Sequence, residues 1–198
     1  MPQISLSNRP DSDLLPILKS SNRWVCWAYS RSGDFIPLDT DHFNEKTGRF
    51  DPSMYLDPSI RLSYEDATEL AEQHDAVDGI GWVVVGSDIS FIDFDECVDQ
   101  STGEINSDVL DLLVEIDSYS ELSVSATGVH VYCRGEAPSY GWASDDHRHE
   151  ISVFDGSWTV ITENHIKRFP ASIQAKPNKL REICEQFDID TYGGWGSS

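Results

Sequence analysis

Gly79-Ile80-Gly81-Trp82-Val83-Val84-Val85-Gly86-Ser87-Asp88-Ile89-Ser90-Phe91-Ile92-Asp93-Phe94-Asp95 contains two short apolar runs separated by a turn-forming Gly-Ser-Asp. β-Branched and aromatic runs bounded by such residues read as strands. Residues 79–85 and 89–95 are therefore expected to form a hairpin. The second run carries charge inside an apolar strand. Side chains alternate along a strand, so Asp93 and Asp95 share one face while Ile92 and Phe94 share the other. Two carboxylates side by side repel unless a cation lies between them, and Mg²⁺ or Mn²⁺ bound by carboxylate oxygens is the usual solution. The competing reading is a strand end running into solvent. Asp-x-Asp also occurs at Asp11/Asp13, Asp39/Asp41 and Asp188/Asp190, in polar or terminal stretches that read as solvated acids.

Working outward, residues 24–29 (Trp-Val-Cys-Trp-Ala-Tyr) read as a buried strand, and 34–57, rich in Asp, Gly, Pro and Asn, as a long loop. Ser63 is placed to cap a helix running to about His74. Ser107 is placed to cap a second, with Val109, Leu110, Leu113, Val114 and Ile116 on its apolar face. Further strands are expected at 128–134, 150–154 and 158–162, the last two joined by a tight Asp155-Gly156 turn. A final helix over 178–187 buries Leu180, Ile183, Cys184 and Phe187. The pattern is α+β, with a mainly antiparallel sheet and helices packed on one face. Residues 1–187 read as one domain and 188–198 as a tail or linker.

The 198-residue chain has 35 acidic and 14 basic side chains, a formal charge of −21, yet 39% of its residues are hydrophobic and 11% aromatic. That composition excludes a disordered acidic tail. The longest apolar run falls far short of the ~20 residues that span a bilayer, and no signal peptide is read at the N-terminus. A cytoplasmic domain without membrane contact is expected. Cys26, Cys97, Cys133 and Cys184 contain no CxxC pair and read as reduced, buried thiols. The acids are scattered, and lysines are few. This is the surface expected of a halophile's cytosol, where a Debye length of roughly 3 Å at molar salt screens repulsion from DNA.

Two further segments bear on the acidic pair. Ser125, Ala126, Thr127 and Gly128 lead into a strand whose alternation puts His130 and Arg134 on one face, with Val129, Val131 and Cys133 on the other. A lone strand histidine is commonly structural, but an arginine four residues on suggests phosphate contact. Glu150, sharing a face opposite Ile151 and Val153, is placed to complete a three-carboxylate cluster with Asp93 and Asp95. Zinc on His147 and His149 is disfavoured, because no further ligand lies at suitable spacing.

The order of these pieces resembles the primase-polymerase branch of the archaeo-eukaryotic primase superfamily, found in viruses and plasmids and often fused to a helicase. The resemblance runs from about Arg23 to Phe187 through RWVCWAY, GIGWVVVGSDISFIDFDECVD, SYSELSVSATGVHVYCRG and HEISVFDGSWTVITENHI. It implies an RRM-like catalytic core. It further implies that Asp93, Asp95 and Glu150 bind two divalent ions, Mg²⁺ or Mn²⁺, about 3.5–4 Å apart. His130, with Ser125, Thr127, Arg134 and His165, would contact the nucleotide. The implied partners are a DNA primer-template, nucleoside triphosphates and a replicative helicase.

The chain departs from this pattern where phosphate contacts are concentrated. Ser-Gly-Asp-Phe-Ile-Pro stands where relatives carry lysines, Ser125-Ala126 where they have Ser-Gly, and Thr162-Glu163 where a strand closes on glycine. The arginine that members of that family place on the strand ahead of Thr-Val-Thr-Gly is absent as well, where this chain has Ser157-Trp158. Each lost charged hydrogen bond is worth roughly 1.5–3 kcal/mol. Three functions follow: an active primase-polymerase of a halophilic archaeon, virus or plasmid; a degenerate domain that only binds nucleic acid or nucleotide; and a metal-dependent nuclease.

Overall fold

The computed structural model describes residues 14–137, 141–144, 150–154, 156–187 and 189. In chain order these form α1 (Leu14–Lys19), β1 (Trp24–Tyr29), β2 (Phe35–Asn44), β3 (Arg49–Pro52), α2 (Tyr64–Gln73), β4 (Gly79–Val83), β5 (Ile89–Phe94), α3 (Ser107–Ile116), β6 (Ser120–Leu122), β7 (Val129–Arg134), β8 (Gly141–Ser144), β9 (Glu150–Phe154), β10 (Trp158–Val160), β11 (Gln174–Ala175) and α4 (Pro177–Gln186). The fold is α+β, but the strands divide between two sheets. One runs β10-β4-β1-β2-β3; the other runs β11-β7-β5-β9-β8, with β6 also on β7. Pairing is antiparallel except between β11 and β7.

This division corrects the expected hairpins. β4 pairs with β1 and β10, and β5 with β7 and β9, so the chain crosses between sheets at Gly86-Ser87-Asp88 instead of folding back on itself. β9 and β10 likewise lie in different sheets, and Asp155 of the expected turn lies outside the described residues. The stretch read as a long loop contains the β2–β3 pair, with a register shift between Asp39 and Phe43. Most of its residues are exposed. Edge strands tolerate polar residues and Pro52 because one side of the ladder needs no partner.

The helices hold closer to expectation. Ser63 Oγ accepts from Asp66 N and starts α2. Asn106, not Ser107, caps α3, its Oδ1 accepting from Asp108 N. Val109, Leu113 and Ile116 are buried, but Val114 faces solvent. Leu180, Ile183 and Cys184 of α4 are buried, with Phe187 packed beside them.

The two faces of the second sheet meet different cores. Ile92, Phe94, Val129, Val131, Ile151 and Val153 pack with Leu113, Ile116, Leu180 and Ile183 of α3 and α4. On the other face Ile89, Phe91 and Tyr132 pack with Trp24, Cys26, Ile80 and Trp82 of the first sheet. All four cysteines are free and buried. Burial pushes the Cys26, Cys97 and Cys133 thiols up to about 12.

Candidate active site

Along the face of β5 that meets the first sheet, burial fades toward the strand's end. Ile89 and Phe91 are 2% and 5% exposed, Asp93's side chain is 23% exposed, and Asp95 just past the strand is exposed. Cross-strand register then sets a polar row. Glu121 on β6 lies opposite His130 on β7, His130 opposite Asp93, and Asp93 opposite Ser152 on β9. One step deeper the row is apolar: Tyr132, Phe91 and Phe154. Glu150, two residues before Ser152, occupies the next register position on the same face; its side chain lies outside the described residues, as do His147 and His149. Among the described residues, no three His, Cys, Asp or Glu side chains are arranged to hold a metal ion.

His130 is 8% exposed and sits between two carboxylates. Its Nε2 is 3.5 Å from Asp93 Oδ1, and its Nδ1 is 3.7 Å from Glu121 Oε1. Burial by itself would favour the neutral ring. Glu121, Asp93 and Asp95 outweigh it, holding the imidazole above its ordinary value. At Asp95, which is exposed, partial desolvation of the carboxyl is the largest influence and pushes it up; His130 opposes this and the neighbouring Glu96 adds to it.

The turn before β7 is fixed by close approach. A Cβ on Gly128 would lie 2.7 Å from Phe94 O, so only glycine lets the turn reach the end of β5. Inside it Gly128 N donates to Ser123 Oγ, and the hydroxyls of Ser125 and Thr127 are 2.7 Å apart. Three of the four described non-glycine residues with positive φ flank this region: Glu96 (50°), Ala126 (58°) and Glu163 (54°). Ala126 and Glu163 stand at the two places where the resemblance leads one to expect glycine. The backbone conformation is kept without the residue that adopts it freely.

The remaining expected nucleotide contacts do not converge on the row. Arg134 shares the parity of His130 but lies opposite Ile89, at the far end of the ladder. Four residues of strand separate it by roughly 13 Å. Its Nε and Nη2 contact Asp88 Oδ2 at 3.0 and 2.9 Å. His165 is backbone-bridged to Glu121, but its ring stacks on Tyr119 with centroids 5.0 Å apart. Its Nε2 donates to the carbonyls of Phe169 and Pro170. Glu121 itself is absent from the expected set although it is fully buried within the row. Its signal was the alternation Tyr119-Ser120-Glu121-Leu122 just before the Ser/Thr turn, which a hairpin onto β7 brings opposite His130.

This chain is similar to a phage DNA primase-polymerase. It is 29% identical to the DNA primase-polymerase of Nitratiruptor phage NrS-1 over 154 residues, which cover 76% of this chain and 19% of the phage protein. The chain thus spans about a fifth of that relative's length. No protein-family model matches it.

Proposed function

We propose that this chain is a DNA primase-polymerase domain that extends a primer by template-directed nucleotidyl transfer. The observation that carries the reading is the row Glu121–His130–Asp93–Ser152, with Asp95 at its open end, in a chain similar to a phage primase-polymerase. The donors at that end are carboxylates and a hydroxyl, all hard oxygen ligands that suit Mg²⁺ or Mn²⁺. Asp93, Asp95 and Glu150 would hold two such ions, which when bound neutralise the triphosphate and favour ionisation of the primer's 3′-hydroxyl.

The chain's own residues then bind and orient. His130 presents Nε2 beside Asp93 for contact with the nucleotide, while the Ser125/Thr127 turn offers hydroxyls at the end of β5. Phe91, Tyr132 and Phe154 close the floor of the site on its inner side, so reacting groups are held at the solvent end of the row. Positioning and charge stabilisation carry most of phosphoryl-transfer catalysis, and the substrates are a DNA primer-template and nucleoside triphosphates. The RRM-like core, a helicase partner and a halophilic cytoplasm belong to the same reading.

The test is primer extension with Mg²⁺ or Mn²⁺ across a KCl series, with Asp93→Ala/Asp95→Ala beside the wild type. Metal-dependent extension lost in the double variant is expected, with an optimum at high salt. A second reading has its own observation: two of the expected phosphate ligands have other partners, Arg134 contacting Asp88 and His165 Nε2 the carbonyls of Phe169 and Pro170. A domain that binds without polymerising would retain nucleic-acid affinity in the double variant and extend no primer at any salt. Degradation of a labelled oligonucleotide without nucleotides would instead indicate a nuclease.

A further inference from the structure

We propose that Glu121 is a positioning residue for His130: its buried carboxylate, locked by four donors, sets the imidazole with Nδ1 toward itself and Nε2 toward Asp93 and the nucleotide. The inference rests on the nucleotidyl-transfer reading, because that reading gives His130 its nucleotide contact.

Glu121 has no exposed surface. Burying a carboxylate is costly unless its oxygens are satisfied. Here each oxygen receives two hydrogen bonds. Tyr132 Oη–H and Thr162 N donate to Oε1 at 3.1 and 3.0 Å. Tyr119 Oη–H and Glu163 N donate to Oε2 at 3.1 and 2.9 Å. The donors come from β7, from the residue leading into β6, and from the segment that follows β10 out of the first sheet. The carboxylate is therefore fixed from both sheets, and its own hydrogen bonding is met without His130.

The converse does not hold. His130 Nδ1 is buried and has no closer acceptor among the described residues than Glu121 Oε1 at 3.7 Å. Phe91 and Tyr132 meet the ring near edge-on, with centroids 6.4 and 6.5 Å away. An aromatic enclosure fixes the plane of an imidazole but does not distinguish the ring from its flipped form. Carboxylates flank both nitrogens, Asp93 Oδ1 at 3.5 Å from Nε2 and Glu121 Oε1 at 3.7 Å from Nδ1. Of the two, Glu121 is fully buried and held by four donors whereas Asp93 reaches solvent, so Glu121 is the fixed partner that sets which nitrogen carries the hydrogen. Partners that orient a metal-ligating histidine in this way change affinity or activity by about 10–100-fold when removed, and the lower end of that range sets the scale here.

Two measurements test this. In wild-type protein without nucleotide, a long-range ¹H–¹⁵N spectrum at a pH where the ring is neutral should place the His130 hydrogen on Nδ1; a hydrogen on Nε2 overturns the proposal. In primer extension, Glu121→Gln should raise the nucleotide KM about tenfold with kcat within about threefold, and Glu121→Asp should recover part of that loss. In a His130→Ala background the same Glu121→Gln change should leave KM within about twofold. An equal loss in both backgrounds would assign Glu121 to structure alone and overturn the proposal. If Glu121→Gln fails to fold, the wild-type spectrum decides. If the wild type incorporates no nucleotide, the polymerase reading fails, and the spectrum still judges the placement of His130 by Glu121.

Discussion

Ile92 and Phe94 point from β5 into a core closed by Val129, Val131, Ile151 and Val153, while Phe91 and Asp93, interleaved with them, face the other way. On the first side the cross-strand neighbours of Ile92 and Phe94 are all apolar, and they pack with residues of α3 and α4. On the second, the packing changes along the strand. The first sheet covers Ile89 and Phe91, then stops, and the row containing Asp93 and His130 opens to solvent beside Asp95. One alternating strand thus anchors the sheet with half of its side chains and presents charge with the other half. The anchored half keeps the charged half in register, since a one-residue slip would exchange the two faces.

The largest expected break in this contrast is functional. Asp93→Ala or Asp95→Ala should lower primer extension by about 10³-fold, the scale on which charge-stabilising groups act at such sites. Thermal unfolding should barely change, because both side chains reach solvent. A variant that loses activity together with its unfolding transition would refute the separation of the two faces.

The mirror experiment is Ile92→Ala. Ile92 is fully buried among the residues that meet α3 and α4, and truncation at such a site costs about 2–5 kcal/mol. The denaturation midpoint should fall accordingly, whereas the nucleotide KM of protein still folded should hold. A change in KM larger than the change in stability explains would show that the core face is coupled to the site.

Much of this contrast is legible in the sequence. The alternation Phe91-Ile92-Asp93-Phe94-Asp95 gives both faces of β5, and the strands carrying His130 and Glu150 can be placed by the same period. The pairing of strands is not legible in that way. Gly86-Ser87-Asp88 suits a hairpin turn as well as a crossover between sheets, and the choice is made by distant partners: β1 and β10 occupy both edges of β4, and β7 and β9 both edges of β5. Arg134 shows the same limit. Parity places it on the face of His130, but only the ladder sets it opposite Ile89 and within reach of Asp88. Glu121 is hard to single out because its signal, an alternation over Tyr119-Ser120-Glu121-Leu122, spans only four residues around three-residue β6, and a single glutamate in so acidic a chain carries little information.

A smaller effect follows from the charge on the open face. His130 is held above its ordinary 6.5 because, although burial disfavours the charged ring, Glu121, Asp93 and Asp95 together favour it more. A group with a raised folded value contributes stability that is fully present below its unfolded value and is lost as pH rises through the folded one. In an NMR titration without metal, the His130 ring protons should therefore move with a midpoint above 6.5, and Asp93→Asn should lower it. A midpoint at or below 6.5 would mean that burial outweighs the carboxylates.

The smallest effect concerns the turn that brings the two halves of the site together. Ala126 is held at a φ of 58°, its N–H donating to Ser123 O at the start of the turn that ends at Gly128. An L-residue with a Cβ pays roughly 1–2 kcal/mol in the left-handed region, part of which glycine gives back through its freer unfolded chain. Ala126→Gly should therefore raise stability by about 0.5–1 kcal/mol, read as a higher urea midpoint with an unchanged slope. Because the hydroxyls of Ser123, Ser125 and Thr127 already hold one another in this conformation, primer extension should change little. A rise in activity larger than the gain in stability would show that the strained turn limits primer extension.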